Sequence, residues 1–335
     1  MRAVNIQNDV GPATSLFIDT IPEPTLSPGQ VLVSIKAFGL NRMDLLQREG
    51  KYPLPPQAPK TMGVEFSGTI EKVYDEAPEI ESFKVGDEVF GLAYGGAYAE
   101  KIAVSAKMII HKPKKLSFEE AAGIPEAWIT ATQALFLVGG FKKGERVLLH
   151  AGASGVSIAA IQLAKNAGAS EVYVTAGSQE KIDFCVKELG ATAGFNYKTQ
   201  DFAEEVLKST DGKGVDVIVD YIVGQGYLEK DLRCAAFDSR IVILAMMGGA
   251  RTEDQIDVGQ ILRKRVRIEG STLRSRTPEY QQLLRDRLIE EAMPRFEEDS
   301  FNIVIEKVFS WKEIIKAHQL MESNQTKGKI ICIVD

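Results

Sequence analysis

The sequence predicts an α/β protein in which a doubly wound parallel sheet is inserted into a mostly β unit. Three observations lead there. Short β-type runs broken by Gly and Pro fill the first 120 residues, strands and helices alternate from about residue 124, and the chain ends on an apolar strand with no obvious place in the alternating part.

In the first part, Val31-Leu-Val-Ser-Ile35, Glu65-Phe-Ser-Gly-Thr-Ile70 and Asp87-Glu-Val-Phe-Gly-Leu92 read as strands, with Ser27-Pro-Gly29 and Val85-Gly-Asp87 as turns between them. In the second, Arg146-Val-Leu-Leu-His150 is a short apolar run that leads through a Gly-rich turn into a helical pattern from Ser157 to Ala167. A second strand at Glu171–Ala176 precedes a helix over 178–189, and further strands are expected at 215–223, 240–246 and 266–273. Parallel strands need crossover connections, so this alternation implies a parallel sheet flanked by helices. The tail reads as two helices and a closing strand, Gly328-Lys-Ile-Ile-Cys-Ile333, which is expected to return to the first unit.

The 335 residues are enough for two domains of ordinary size, and 44% hydrophobic with 26% charged residues is the balance of a soluble globular chain. No apolar run is long enough to span a bilayer, and the start lacks a basic segment followed by an apolar one, so neither membrane nor secretory signal is expected and the address is cytoplasmic by default. A net charge of −6 weighs against phosphate neutralisation on nucleic acid. The basic run Arg263-Lys-Arg-Val-Arg267 is read as a solvated element end. Three scattered cysteines (Cys185, Cys234, Cys332) and three scattered histidines (His111, His150, His318) give a Cys/His zinc site little to draw on.

The segment Leu148-Leu-His-Ala-Gly-Ala-Ser-Gly-Val-Ser157 carries the chemistry. A strand enters a small-residue turn that opens a helix, the setting in which backbone N–H groups and a helix N-terminus receive a pyrophosphate. Gly152 and Gly155 keep Cβ atoms out of the way, and Ser157 stands near the third glycine of the usual pattern. Cofactor choice is set at the end of the second strand, where an NAD site carries an acid for the ribose hydroxyl. Here Thr175-Ala-Gly-Ser-Gln-Glu-Lys181 has none at the tip. Gly177 leaves room for a phosphate, Ser178 offers a hydrogen bond and Lys181 a charge, and Tyr197 is placed to pack on the adenosine, so NADPH is expected over NADH, with Glu180 the dissenting residue.

Leu40-Asn-Arg-Met-Asp44, Ile124-Pro-Glu-Ala-Trp-Ile-Thr-Ala131, His150-Ala-Gly-Ala-Ser-Gly-Val156, Thr175-Ala-Gly-Ser-Gln179, Gly194-Phe-Asn-Tyr197, Leu273-Arg-Ser-Arg276 and Ala317-His-Gln-Leu-Met-Glu-Ser-Asn324 run in family order along nearly the whole chain. With them the sequence resembles the zinc-free medium-chain dehydrogenase/reductases, in particular the quinone oxidoreductases. The resemblance implies a groES-like catalytic domain over 1–124 and 279–335, a Rossmann NADPH-binding domain over 125–278, an active site in the cleft between them, and a homodimer. It implies cofactor contacts at Thr130, Ser154, Gly155, Val156, Gly177, Ser178, Lys181, Tyr197, Gly224, Met246, Met247 and Gly248. Ser157, in place of a frequent Gly, and Tyr221-Ile-Val-Gly224 depart from the family pattern.

In the zinc alcohol dehydrogenases of that superfamily a Cys, a His and a Cys hold the catalytic metal. The matching positions here are Asn41, Val64 and Glu126, which do not make a zinc site. Without a Lewis acid the acceptor must already be electrophilic: a quinone, or alternatively a 2-alkenal or enone. Asn41 and Tyr52 are the candidate substrate contacts, each able to donate a hydrogen bond to an acceptor oxygen as charge develops. His150 is expected to be a packed neighbour of the cofactor loop, and His111 and His318 to be structural. A non-catalytic NADPH-binding or RNA-binding, crystallin-like role is the reading from another class.

Overall fold

The computed structural model describes residues 1–74, 82–251 and 255–335. It divides into two compact units, one of Met1–Ile129 with Leu273–Asp335 and one of Thr130–Thr272. Among the described residues no helix is long and apolar enough to cross a membrane.

The unit Thr130–Thr272 is built on six parallel strands. In spatial order they are Ala193–Asn196, Glu171–Ala176, Arg146–Leu149, Val215–Asp220, Ala235–Ile243 and Arg267–Gly270. In chain order this is third, second, first, fourth, fifth, sixth, the order of a Rossmann sheet, whose ligand crevice opens where the first and fourth strands part. At the middle of the two central strands Val147, Leu148, Leu149, Val217, Ile218 and Val219 are fully buried, as a sheet covered on both faces requires. The first three of the following helices have a polar start. Ser154 caps Gly155–Asn166, Ser178 caps Gln179–Lys187, and the Asp201 carboxylate accepts from Ala203 and Glu204 to cap Phe202–Ser209.

The other unit is a GroES-like fold around a seven-stranded, mostly antiparallel sheet. Its centre is the ten-residue strand Gln30–Gly39, which pairs with Glu65–Val73 on one side and with both Lys101–Ser105 and Lys329–Ile333 on the other. The chain's last strand is thus held by residues 37–39. The tail carries one strand more than the sequence pattern suggests: Ile305–Ser310 lies parallel to Lys329–Ile333 at the sheet edge. Only Phe309 of that strand is buried, so it lacks the apolar alternation by which a strand is read. The tail also holds three helices rather than two, at Pro278–Glu291, Met293–Glu297 and Ile314–Glu322.

Candidate functional site

The loop from His150 to Gly155 in the Rossmann unit is shaped by contacts that exclude side chains. A Cβ on Gly152 would lie 2.7 Å from the Val174 Cβ on the neighbouring strand, so only glycine lets the turn pass that close. Ala151 takes a left-handed φ of 47°, and the chain then enters the helix at Gly155 with the Ser154 hydroxyl accepting from Ser157 N. The N–H groups of Gly155 and Val156 fall in the first turn, where no preceding helical carbonyl can accept them.

The second loop repeats the device. A Cβ on Gly177 would sit 2.7 Å from the Tyr197 hydroxyl and 3.2 Å from Lys198 Cε, so Tyr197 and Lys198 both lie against the Gly177–Ser178 turn. Lys181 stands in the first turn of the helix that Ser178 caps. Glu180 is exposed on that helix. The sequence reading missed Lys198, whose only signal was its place directly after Tyr197. In the third region, Asp220 ends its strand by accepting the N–H groups of Ile222 and Val223, and Val223 is held at a φ of 64°, costly for a β-branched residue. Gly224 meets Gly248 backbone to backbone, while Met247 N and Gly248 N donate to Tyr221 O and Ile222 O. These bonds bring Gly224, Met246, Met247 and Gly248 together at one end of the sheet, with both methionines about half exposed. Thr130 opens this unit in helix Pro125–Thr132, its hydroxyl oxygen buried without a hydrogen bond among the described residues.

Beneath the three loops lies a fully buried polar core. His150 bonds Thr175 Oγ1 through Nδ1 at 2.9 Å and Asp231 Oδ1 through Nε2 at 2.8 Å, with Phe202 and Tyr227 packed edge-on around the ring. Burial pulls the imidazole down, but Asp231 and then Asp220 outweigh it and leave His150 above its ordinary value. Burial raises Asp231, against the pull of His150. His150, Asp220 and Asp231 are also the one group of potential metal ligands found among the described residues. Asp220 is engaged by two backbone N–H groups and His150 by Thr175 and Asp231 Oδ1, while Asp231 Oδ2 has no hydrogen bond among the described residues.

In the GroES-like unit, Asn41 and its surroundings form a second polar cluster. Glu65 is fully buried and accepts from Asn41 Nδ2 at 2.8 Å, from Glu126 N at 2.9 Å and from Lys329 Nζ at 2.5 Å. Lys329, itself buried, also donates to Asn41 Oδ1 at 2.7 Å and to Leu40 O at 2.8 Å. Three protons meet three acceptors, which is what a buried ammonium requires. Asp44 Oδ2 accepts from Asn41 N and from the Tyr98 hydroxyl, and burial pushes its carboxyl up to about 6. Tyr52 is half-buried with the Arg274 guanidinium 5.5 Å from its ring centroid, and burial, followed by the Glu126 charge, keeps its hydroxyl above the ordinary tyrosine value. Arg274 is buried too, its Nε on Tyr94 O and its Nη1 on Gln47 Oε1. The structure therefore brings Asn41 and Tyr52 into one electrostatic neighbourhood with Glu65, Glu126, Arg274 and Lys329. Of these the sequence reading had Glu126 only as a failed metal position. Lys329, a charge at the head of an apolar strand, was the available signal for the rest.

A zinc ion does not fit these residues. Val64 is buried hydrocarbon, the Asn41 amide oxygen is taken by Lys329, and that ammonium already compensates the Glu65 charge.

The family model described as alcohol dehydrogenase GroES-like domain matches residues 27–114, and the one described as zinc-binding dehydrogenase matches residues 155–289. Quinone oxidoreductase of Sus scrofa is 30% identical to this chain over 336 residues, covering 100% of it and 98% of the relative. Among solved structures, the CurK enoyl reductase superposes with a TM-score of 0.85 at 28% identity over 100% and 99% of the two chains. A mycobacterial protein complexed with NADPH superposes with a TM-score of 0.86 at 26% identity over 100% of both. Two matched domain models in the right order and full-length identity to a named enzyme place the sequence: the chain is an oxidoreductase of the medium-chain dehydrogenase/reductase superfamily and belongs to its quinone oxidoreductase family.

Proposed function

We propose that this chain reduces quinones with NADPH and without a metal. The observation that carries the reading is the cluster around Asn41. Where zinc relatives place a Lewis acid, this chain has an amide, a valine and a carboxyl, backed by a Lys329–Glu65 pair. A metal supplies several kcal/mol to a carbonyl reduction, so residues of this kind suit acceptors that are electrophilic on their own. Bound NADPH supplies the hydride. The chain's part is to hold the cofactor by the first-turn N–H groups at Gly155 and Val156 and by the Gly177–Ser178 turn, and to offer donors to the acceptor oxygen from Asn41 and Tyr52.

NADPH is favoured over NADH by what surrounds Gly177. Lys198 and Tyr197 lie against the turn, Lys181 follows in the helix, and no acid stands at the strand tip. The relative solved with NADPH supports the same choice. A 2-alkenal or enone reductase is the second reading, favoured by the full-length likeness to an enoyl reductase. For assembly we propose a homodimer through the sheet edge. Strand Arg267–Gly270 is exposed along its length, and Leu262 (82% exposed), Val258 and Phe237 present apolar surface beside it.

The test is NADPH oxidation with an ortho-quinone, a para-quinone, a conjugated enal and a simple aldehyde, each repeated with NADH and with chelator. Quinone turnover that prefers NADPH and ignores chelator supports the reading. Preference for the enal moves the protein to the second reading, and chelator-sensitive aldehyde turnover refutes both. Tight NADPH binding with no acceptor reduced moves it to a non-catalytic role.

A further inference from the structure

We propose that Glu126 is the proton donor of the reduction, giving a proton from its carboxyl to the acceptor oxygen that Arg274 and Tyr52 face. The inference rests on the reductase reading above and adds to it the group that closes the proton balance.

Four features of the geometry lead to Glu126. Its side chain is partly accessible, and neither carboxyl oxygen has a hydrogen bond or ion pair among the described residues. The other buried acids of the cluster are less available: Glu65 is held by Lys329 and Asn41, and Asp44 by Asn41 N and Tyr98 through Oδ2, while its Oδ1, without a hydrogen bond among the described residues, is fully enclosed by protein. Next, the helix that begins at Pro125 would ordinarily stabilise an anion at its first turn. That role falls to Glu65, which accepts the Glu126 N–H, so the favourable end of the helix is occupied by a charge of the same sign as a Glu126 carboxylate. Finally, Arg274 is 4% exposed yet its Nη2 makes no hydrogen bond among the described residues, a buried donor of the same neighbourhood. An oxygen that accepts from Arg274 and receives a proton from Glu126 satisfies both orphan groups at once.

The charges around Glu126 set its state. Glu65 and Asp44 disfavour its anion from the strand Glu65–Val73 and the helix Arg42–Arg48. Lys329 and Arg274 favour it, while Tyr52 stays a neutral phenol. Burial is the largest influence and Glu65 the next, and together they push Glu126 up to about 8. Its carboxyl is then mostly protonated at neutral pH. Lys329 does not reverse this because its three protons are on Glu65, Asn41 and Leu40.

The balance closes simply. A quinone would take a hydride, two electrons with one proton, from bound NADPH, which becomes NADP+; a C–H or O–H bond forms, and the oxyanion that results takes the proton from Glu126 Oε. Glu126 regains it from water. For a conjugated enal the hydride adds at the β-carbon, and the enolate oxygen takes the same proton. The enolate is the stronger base, so removing the acid must slow the enal more than the quinone.

The experiment compares wild type with Glu126→Gln on an ortho-quinone and a conjugated enal from pH 6 to 9. Alongside, NADPH affinity and the 13C carboxyl resonance of Glu126 are followed in protein without substrate. The expected result is an enal kcat lowered by about 100-fold and a quinone kcat by roughly tenfold, with NADPH affinity within about twofold of wild type. The wild-type kcat falls as pH rises through about 8, and the variant is flat there. The carboxyl resonance titrates at the same pH. A variant with wild-type rates and pH profile overturns the acid role alone, as does a resonance already that of a carboxylate at pH 6. Wild type that binds NADPH and reduces neither acceptor overturns the reductase reading and the acid role with it.

Discussion

His318 offers the clearest link between one side chain and the stability of the GroES-like unit. It is fully buried, with Arg48 Nη1 donating to its Nδ1 at 3.2 Å and the Tyr98 hydroxyl 3.4 Å from Nε2. Protonating Nδ1 would set an imidazolium against the guanidinium. Burial and then Arg48 accordingly hold the ring down at about 3, from an ordinary 6.5. The folded value is the depressed one, so the stabilisation is complete above pH 6.5 and is lost as pH falls toward 3, because the unfolded chain takes up the proton first. Between pH 7.5 and 5 the loss is about 1.5 pH units of linkage, or about 2 kcal/mol. Asp44 and Glu126 have raised folded values and act in the opposite direction over part of the same range, so the wild-type profile alone is mixed. Comparison with His318→Gln isolates the imidazole, since the amide can still accept from Arg48 and donate to Tyr98. Both tryptophans, Trp128 and Trp311, are buried in this unit, so their fluorescence reports its unfolding and not that of the Rossmann unit. With a urea slope of about 2–3 kcal/mol per molar, the midpoint gap between wild type and variant should change by roughly 0.7–1 M from pH 7.5 to pH 5, wild type losing more. A gap constant across that range would refute the argument, because it would mean that the ring titrates at the same pH folded and unfolded.

Three further perturbations separate the two units and the cofactor loops. Gly177→Ala places a Cβ 2.7 Å from the Tyr197 hydroxyl and 3.2 Å from Lys198, both at movable ends of side chains. Thermal stability should hold while NADPH binding weakens by about tenfold, or about 1.4 kcal/mol, and NADH binding by less, as read by fluorescence titration. Asp231→Ala removes the acceptor of a buried imidazole and should cost about 3–5 kcal/mol, lowering the far-ultraviolet circular dichroism transition while the tryptophan transition stays in place. Lys329→Met leaves the buried Glu65 carboxylate with only Asn41 and the Glu126 N–H. It should cost a similar amount, about 3–5 kcal/mol, this time in the tryptophan transition, and an unchanged urea midpoint would show that Lys329 is not holding that charge.

The parallel sheet and its loops were readable because the features that encode them are local. Val147–Leu149 and Val172–Val174 are continuous apolar runs, and Gly152 and Gly177 sit where a Cβ would strike Val174 or Tyr197. A side-chain clash of that kind leaves a glycine in the sequence whatever the rest of the fold does. The polar cluster around Asn41 was legible only as a set of isolated residue types. Its bonds join Asn41 to Glu65, 24 positions away, and to Lys329, 288 positions away, and no periodicity announces a pair at that separation. Glu126 read as a poor metal ligand because its type was visible and its surroundings were not. The edge strand Ile305–Ser310 escaped for the opposite reason: its partner is near in space, but its exposed side chains carry no pattern.

The two departures from the family pattern turn out to be one feature. Ser157 Oγ donates to His150 O at 2.7 Å and lies 3.4 Å from the Tyr221 hydroxyl. A serine where a glycine is frequent therefore gains a partner on the cofactor strand and stands beside the unusual Tyr221. His150 in turn bonds Thr175, which precedes the Gly177 turn, and Asp231, whose cluster includes the Asp220 that shapes the Ile222–Val223 turn. All three loops thus meet one buried set of hydrogen-bonded side chains, in which only Asp231 Oδ2 lacks a partner among the described residues. The members of such a network depend on one another's hydrogen bonds, so a change at one loop is carried to the others through loss of a partner. It also explains how Val223 can hold a left-handed φ: the strain in one turn is met by the Asp220 carboxylate, and the same carboxylate lies in the cluster that holds the imidazole behind the Gly152–Gly155 turn.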